Sequence, residues 1–403
     1  MRQISNPRVV SRMLDNPPPH ESTMTPPPPP NLLHDAFSAD FEHELRFTRS
    51  VLDSSNPLLE DLLGWDEQGP RPGLIAVVDS GLHDATPGLS KAIEARFADP
   101  ALPELRETII VPGGETAKND SNVVESVLSA IDLNRIDRRS LIAVFGGGAV
   151  IDAVGFAAST AHRGVRLVRF ASTVLAQLDA AIGVKNGINR FGKKNFVGCF
   201  DVPVAVVCDE AMLETLSDRD WRSGYSEAVK IACLKDVPFF DLIEKNADRI
   251  RERDIDASRP VIHRCAELHL HHITRGGDPF ERSEARPLDF GHWAAHRLES
   301  ITDFETTHGE AVSIGIALDT MYSHLSGRIE RSQADRVIDV LRRLGLPVHH
   351  SALHGEAILN GIEEFREHLG GQLTITLLDD IGRPVDAHEV DPEVIARAAD
   401  LLA

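Results

Sequence analysis

Three ligand-type side chains stand in otherwise apolar or small-residue stretches of the C-terminal half. Glu227 lies in Gly224-Tyr225-Ser226-Glu227-Ala228-Val229-Lys230, His292 in Asp289-Phe290-Gly291-His292-Trp293-Ala294-Ala295-His296, and His308 in Thr307-His308-Gly309-Glu310-Ala311-Val312. A charge buried in such surroundings is costly unless it is paired or bound to metal. Two imidazoles and one carboxylate with open positions suit a catalytic Zn²⁺. Taken singly, each residue fits a satisfied core histidine or a buried ion pair as well. Taken together, with a glycine beside each histidine, they point to a metal. Lys230 follows Glu227 by three residues and can share its helix face. His296 follows His292 by four and suits support of a ligand or acid–base work better than ligation. His269, His271 and His272 form another cluster, read as a solvated helix face in preference to a second metal site.

A second set of residues suits anions. Asp179, Lys185 and Asn186 are followed by Gly192-Lys193-Lys194-Asn195, and lysines in glycine-rich surroundings of an acidic chain suit a phosphate. Ordinary surface lysines are the alternative. A third set suits a nucleotide. Gly146-Gly147-Gly148 follows an apolar run and opens a helical pattern carrying Asp152. Glycine lets a backbone approach a pyrophosphate, and a helix N-terminus offers it free N–H groups. This is not the GxGxxG fingerprint, and a plain tight turn fits it equally well. Asp79 ends another apolar run, where a carboxylate can accept ribose hydroxyls. Gly114-Glu115-Thr116-Ala117-Lys118 adds a third polar loop, and three such loops at strand ends favour a nucleotide site.

The elements that must hold these groups follow from the hydrophobic pattern. Leu74–Val78, Thr108–Val111 and Leu141–Phe145 are short apolar runs ending in glycine-bearing turns, with a helical segment over about 119–133. Strand, glycine turn and helix in alternation predict a doubly wound α/β sheet. A strand-like stretch near 41–52 and strands at about 166–171 and 203–208 complete it. Beyond about 212 helical periodicity dominates, through 221–248, 258–275, 289–300 and 308–325, with one late strand at 373–378. The expected organisation is therefore an unstructured Pro-rich extension over 1–35, an α/β domain over 36–212 and a mainly helical domain over 213–403. The extension carries Pro17-Pro18-Pro19 and Pro26 to Pro30, which favour extended geometry and build no core. A proline-binding partner is the alternative reading of that tract.

Composition narrows the function. The chain has 403 residues and a formal charge of -20, from 42 Lys plus Arg against 62 Asp plus Glu. Spread-out acidity of this size repels nucleic acid and anionic membranes. Four cysteines without CxxC pairing make no disulfide framework and fit a reducing cytoplasm. No stretch approaches the roughly 18 apolar residues of a membrane span, and no apolar leader opens the chain.

From about residue 74 to 382 the sequence resembles the sugar phosphate cyclase superfamily, whose best-known member is 3-dehydroquinate synthase. The segments GGETAK, FGGGAVIDAVGFAAS, HRGVRLVRFASTVLAQLDAAIGVKNGIN, GKKN, GYSEAVK, DFGHWAAH and THGEAV carry the resemblance in the family's order and spacing. It implies a Rossmann-like NAD domain joined to a helical metal domain, as a homodimer. It implies Glu227, His292 and His308 as ligands of Zn²⁺ or Co²⁺, and Asp79, Glu115, Lys118, Gly147, Gly148, Asp152, Thr173 and Thr215 as NAD contacts. Asp179, Lys185, Lys194, Asn195 and Lys230 match the substrate pocket, and His296 the histidine credited with proton handling. Arg163 matches an arginine entering the pocket from the neighbouring subunit. The implied chemistry is transient oxidation of a ring hydroxyl, loss of phosphate, reduction, ring opening and intramolecular aldol closure.

The departures bear on the sugar. Dehydroquinate synthases typically carry Asn three residues before the first metal histidine, and here it is Asp289. Their arginine seven residues before it is replaced by Ala285, with Arg286-Pro287 one step closer. Their late Asp-Lys-Lys signature is absent, and Phe365-Arg366-Glu367-His368-Leu369-Gly370-Gly371 stands in its region. Asp289 puts negative charge where a substrate carboxylate should bind. These changes resemble cyclases of sedoheptulose 7-phosphate, although His296 is kept where many of those have proline. DFGHWAAH and RPLD also resemble the dehydroquinate synthase-like protein of bacterial ebo-type clusters. The expected function is thus a cyclase of a C7 sugar phosphate, with 3-dehydroquinate synthase as the alternative. Metal-dependent polyol dehydrogenases of similar architecture usually place a metal histidine four residues after an acidic ligand, where this chain has Ile231. A non-catalytic binding protein fits poorly with a complete triad and both pocket lysines.

Overall fold

The computed structural model describes residues 33, 35, 38–65, 69–276, 280, 288–368 and 373–403. Every element below lies in the unit Glu42–Ala403. Apart from residues 33 and 35, the Pro-rich segment 1–35 lies outside the described residues.

Eight strands precede the helical part: β1 (Leu45–Thr48), β2 (Gly73–Asp79), β3 (Glu104–Val111), β4 (Leu141–Gly146), β5 (Arg166–Ala171), β6 (Lys185–Arg190), β7 (Lys193–Phe200) and β8 (Ala205–Asp209). Six of them make one sheet in the order β1-β8-β5-β4-β2-β3, every neighbouring pair parallel. The unbroken apolar runs of β2 and β4 have a simple cause, since both faces of the sheet are covered. Ile75, Val77, Ile142 and Val144 enter the core on one face. Leu74, Ala76, Val78, Leu141, Ala143 and Phe145 enter the core on the other, where the Phe145 and Phe170 rings stack at 4.2 Å. The chain moves from β2 to β3 on one side and then crosses to β4 on the other. The carboxyl ends of β2 and β4 therefore flank a topological switch point, where open α/β sheets bind ligands.

β6 and β7 are a separate antiparallel hairpin, which the glycine-rich run Gly183–Asn195 hid from a strand reading. The helix α1 (Gly148–Thr160) starts at the β4 turn. The helical part contains α2 (Tyr225–Lys235), α3 (Ile255–Arg275), α4 (His292–Ile301) and α5 (His308–Leu325). The single helical pattern expected over 221–248 is broken. The helix Asp218–Ser223 stops at Gly224, and Asp236 caps a new helix, Val237–Arg251, with Pro238 in its first turn. The late strand appears as β9 (Ile375–Asp380), paired with an unforeseen β10 (Arg383–Ala387). No helix among the described residues is long and apolar enough to cross a membrane.

Candidate active site and metal centre

Glu227 sits in the first turn of α2, while His292 and His308 are the first residues of α4 and α5. The neighbouring glycines make this convergence possible. Gly291 has φ +78°, and a Cβ on it would meet the α5 backbone nitrogen of Ile316 at 2.6 Å. A Cβ on Gly309 would lie 2.0 Å from the Ser223 carbonyl oxygen. Asp319 of α5 secures the start of α4 by accepting from the Gly291 N–H and the Trp293 indole N–H, each at 2.9 Å.

Glu227 is wholly buried. Its Oε1 stands 3.5 Å from His292 Nε2 and 3.6 Å from His308 Nε2, and its Oε2 is ion-paired with Lys230. Neither oxygen accepts a hydrogen bond of good geometry. Ligand atoms about 2.0–2.1 Å from a tetrahedral Zn²⁺ stand roughly 3.3–3.4 Å apart, so the spacing fits a metal on a shared centre. The far ring nitrogens are also served. His292 Nδ1 faces the Phe290 carbonyl oxygen at 3.1 Å, and His308 Nδ1 faces Glu299 Oε2 at 3.0 Å. With a metal bound, each ring would keep its proton on Nδ1 and turn the Nε2 lone pair to the centre. Burial alone would raise the Glu227 pKa, but Lys230 and then His292 and His308 hold it well below the carboxylate range. Burial opposes the charged form of His308, yet Glu299 and Glu227 raise it to about 9.

Lys230 is buried, and burial would lower its pKa, but Glu227 and Asp179, with a smaller contribution from Asp289, keep it raised. Asp179 lies in a π-helical turn, Ala176–Ala180, and its Oδ1 is 2.9 Å from His269 Nδ1 on α3. The reading of His269 as part of a solvated face is therefore corrected, because His269 is buried against the pocket aspartate. Lys194, on β7, donates to Glu299 Oε1 at 2.6 Å and lies 3.6 Å from Glu115 Oε1. Asn195 has φ 51°, and its N–H donates to Asn189 Oδ1 at 2.9 Å. Asn189 also donates to Glu115 Oε1 at 2.7 Å. Lys185 begins β6 on an exposed position. His296 is exposed, its ring 5.5 Å from that of His292 and 6.0 Å from that of His308.

The cofactor-type residues gather at the carboxyl edge of the sheet. Asp79 caps the turn after β2 through the Gly81 N–H at 2.7 Å. Burial raises its pKa against hydrogen bonds from Gly81, Leu82 and Gly147. Gly147 and Gly148 form the start of α1. A Cβ on Gly147 would lie 3.1 Å from Thr173 Cγ2, and one on Gly148 2.7 Å from the Ala180 Cβ. Lys118 reaches Asp152 of α1 at 2.6 Å. Thr215 follows the turn after β8 and is half-buried. Arg163 is at the other end of α1, whose 13 residues at about 1.5 Å each put it roughly 20 Å from the glycine turn. Arg366 pairs with Glu363 of its own helix at 3.2 Å, while Ala285, Arg286, Pro287, Gly370 and Gly371 lie outside the described residues.

Glu299, His269, Asn189 and Asp319 were missed as site residues. Glu299 had a signal, since it follows His292 by seven and His296 by three and so shares their helix face. The others contact the site only through the tertiary fold.

Two family models match in tandem, described as 3-dehydroquinate synthase N-terminal over residues 108–223 and 3-dehydroquinate synthase C-terminal over 224–367. A 3-dehydroquinate synthase of Halorhodospira halophila is 32% identical over 350 residues, covering 82% of this chain and 97% of its own. The chain belongs to the 3-dehydroquinate synthase family, among the sugar phosphate cyclases. Within that family a 2-epi-valiolone synthase of Actinosynnema mirum is 34% identical over 293 residues, 72% of this chain and 76% of its own. The solved structure of ValA, a 2-epi-5-epi-valiolone synthase from Streptomyces hygroscopicus subsp. jinggangensis 5008 with NAD⁺ and Zn²⁺ bound, superposes with a TM-score of 0.83. It is 27% identical and covers 92% of this chain and 99% of its own.

Proposed function

We propose that this family member cyclises a C7 sugar phosphate, sedoheptulose 7-phosphate, to a carbocycle with loss of phosphate, using NAD and a divalent metal, Zn²⁺ or Co²⁺. The observation that carries the substrate choice is the charge around Lys230. Glu227, Asp179 and Asp289 all act on that one ammonium. A metal dication would balance the excess, leaving no surplus positive charge there for a substrate carboxylate. Hydroxyl groups, which donate to carboxylates, suit that end better.

When bound, the nicotinamide would exchange a hydride with a ring carbon and the metal would polarise its oxygen. Glu227, His292 and His308 would hold the metal. Asp79, Glu115, Lys118, Asp152, Thr173 and Thr215 would line the cofactor cleft, with pyrophosphate over Gly147 and Gly148 at the N-terminus of α1. Lys185, Lys194 and Asn195 would clamp the phosphate, and His296 would carry protons. On the family resemblance we read the protein as a homodimer in which Arg163 enters the neighbouring subunit's pocket; about 20 Å of helix separates it from its own glycine turn.

The test is phosphate release by NAD- and metal-loaded protein given sedoheptulose 7-phosphate or the seven-carbon keto acid phosphate used by 3-dehydroquinate synthase. Turnover of the first alone is expected, and turnover of the second alone would overturn the choice. A 3-dehydroquinate synthase activity is the second reading, favoured by the retained His296. Asp289→Asn should shift preference toward the carboxylated substrate.

A further inference from the structure

Glu299 is buried on α4, and its two oxygens serve different partners. Oε2 meets His308 Nδ1 at 3.0 Å, and Oε1 accepts from Lys194 at 2.6 Å. Lys194 lies in turn 3.6 Å from Glu115, which Asn189 holds at 2.7 Å. A continuous polar path therefore runs from a ligand-type histidine, through one carboxylate, to a pocket lysine and the loop after β3. Among the described residues His292 shows no such link, its Nδ1 meeting the Phe290 carbonyl oxygen.

We propose that Glu299 is a positioning residue that couples metal binding at His308 to the anion-binding Lys194. The inference rests on Glu227, His292 and His308 being the metal ligands. A carboxylate on the far ring nitrogen of a metal-bound histidine fixes its tautomer and raises its basicity. Lys194 draws on the same carboxylate, so the two demands compete for one negative charge. An anion that engages Lys194 releases Glu299 toward His308, and a metal that tightens the His308 contact frees Lys194 for the anion. The two ligands then favour each other, reciprocally.

The test is a double-mutant cycle read by Co²⁺ titration of the metal-free full chain, followed through the Co²⁺ visible absorption. Glu299→Gln should weaken Co²⁺ about 10–100-fold and alter the band shape, whereas Lys194→Met should tighten it several-fold. In the Glu299→Gln background the Lys194→Met gain should vanish. Inorganic phosphate should tighten Co²⁺ binding by the wild type, and not by either variant. Glu299→Asp, which keeps the charge but is too short to reach both partners, should lose the coupling while keeping part of the affinity. Additive effects across the cycle, or unchanged Co²⁺ affinity in a folded Glu299→Gln protein, would overturn the proposal. A wild-type chain that binds no Co²⁺ would instead overturn the metal reading beneath it.

Discussion

At the three helix starts the candidate site is made of side chains; at the strand ends it is made of main chain. Glu227, His292 and His308 come from three helix starts, and their charges are answered by Lys230 and Glu299 inside the protein. Asp79, Gly147 and Gly148 lie in turns at strand ends, where a Cβ on Gly113 would come within 2.3 Å of the Asp79 carboxylate. The first end depends on which functional groups are present, and the second on the absence of bulk. Removing a charge should therefore damage the metal end most, while adding a methyl group should damage the cofactor end most.

The largest effect is expected from Glu227→Ala. It removes a proposed ligand and leaves the buried Lys230 ammonium without its ion-pair partner, which costs about 3–5 kcal/mol of stability. Metal content should fall to background and the urea midpoint should drop. Adding Lys230→Met should restore much of the stability but none of the metal. Full metal content in Glu227→Ala would break the comparison at its first term.

Gly148→Ala tests the second. Its Cβ would sit 2.7 Å from the Ala180 Cβ, so either α1 or the turn carrying Asp179 must move. Overpacking of this kind costs about 1–3 kcal/mol, and NAD affinity should fall roughly 5–150-fold by the same arithmetic. Co²⁺ affinity should stay at the wild-type value. NAD binding unaffected by the methyl group would show that the glycine turn is only a turn.

His269→Leu sharpens the boundary between the two ends. His269 meets Asp179 at 2.9 Å and is not one of the three candidate metal ligands. Losing a hydrogen bond to a charged group costs about 1.5–3 kcal/mol, so kcat/KM should fall by roughly ten- to hundredfold. Co²⁺ and NAD affinities should both hold, and a loss of either would place His269 in a different part of the site.

The two ends were also legible in different ways. The sheet could be read because β2 and β4 are buried on both faces and appear as unbroken apolar runs. Glu227, His292 and His308 could be picked out as ligand-type residues because a carboxylate and two imidazoles stand out in apolar helices, and the fold brings the three together. The β6–β7 hairpin could not, since Gly183, Gly187, Gly192 and Gly198 dilute its alternation. His269 was hidden because its helix carries four histidines, His263, His269, His271 and His272, and only the fold selects one for Asp179. Asp319 was hidden because a lone aspartate in α5 gives no hint that it reaches back across 28 residues to the Gly291 N–H.

Asp319 gives the most specific prediction, since it supports the start of α4 without belonging to the candidate triad. Burial pushes its pKa up to about 7, against the hydrogen bonds from Trp293 and Gly291. An unfolded aspartate gives up its proton near about 3.9. Between these values the folded chain binds the proton more tightly than the unfolded one. The contribution of Asp319 is therefore complete below about pH 4, declines as pH rises, and has been lost above about pH 7. Asp319→Asn keeps a neutral side chain at every pH and removes that slope. Urea midpoints of both proteins across pH 5 to 8 should show the wild type losing about 1.4 kcal/mol per pH unit relative to the variant up to about pH 7, then levelling. A gap that stays constant would mean that Asp319 is already ionised at pH 5. The two N–H donors would then outweigh burial, and the start of α4 would be tied down by a full charge.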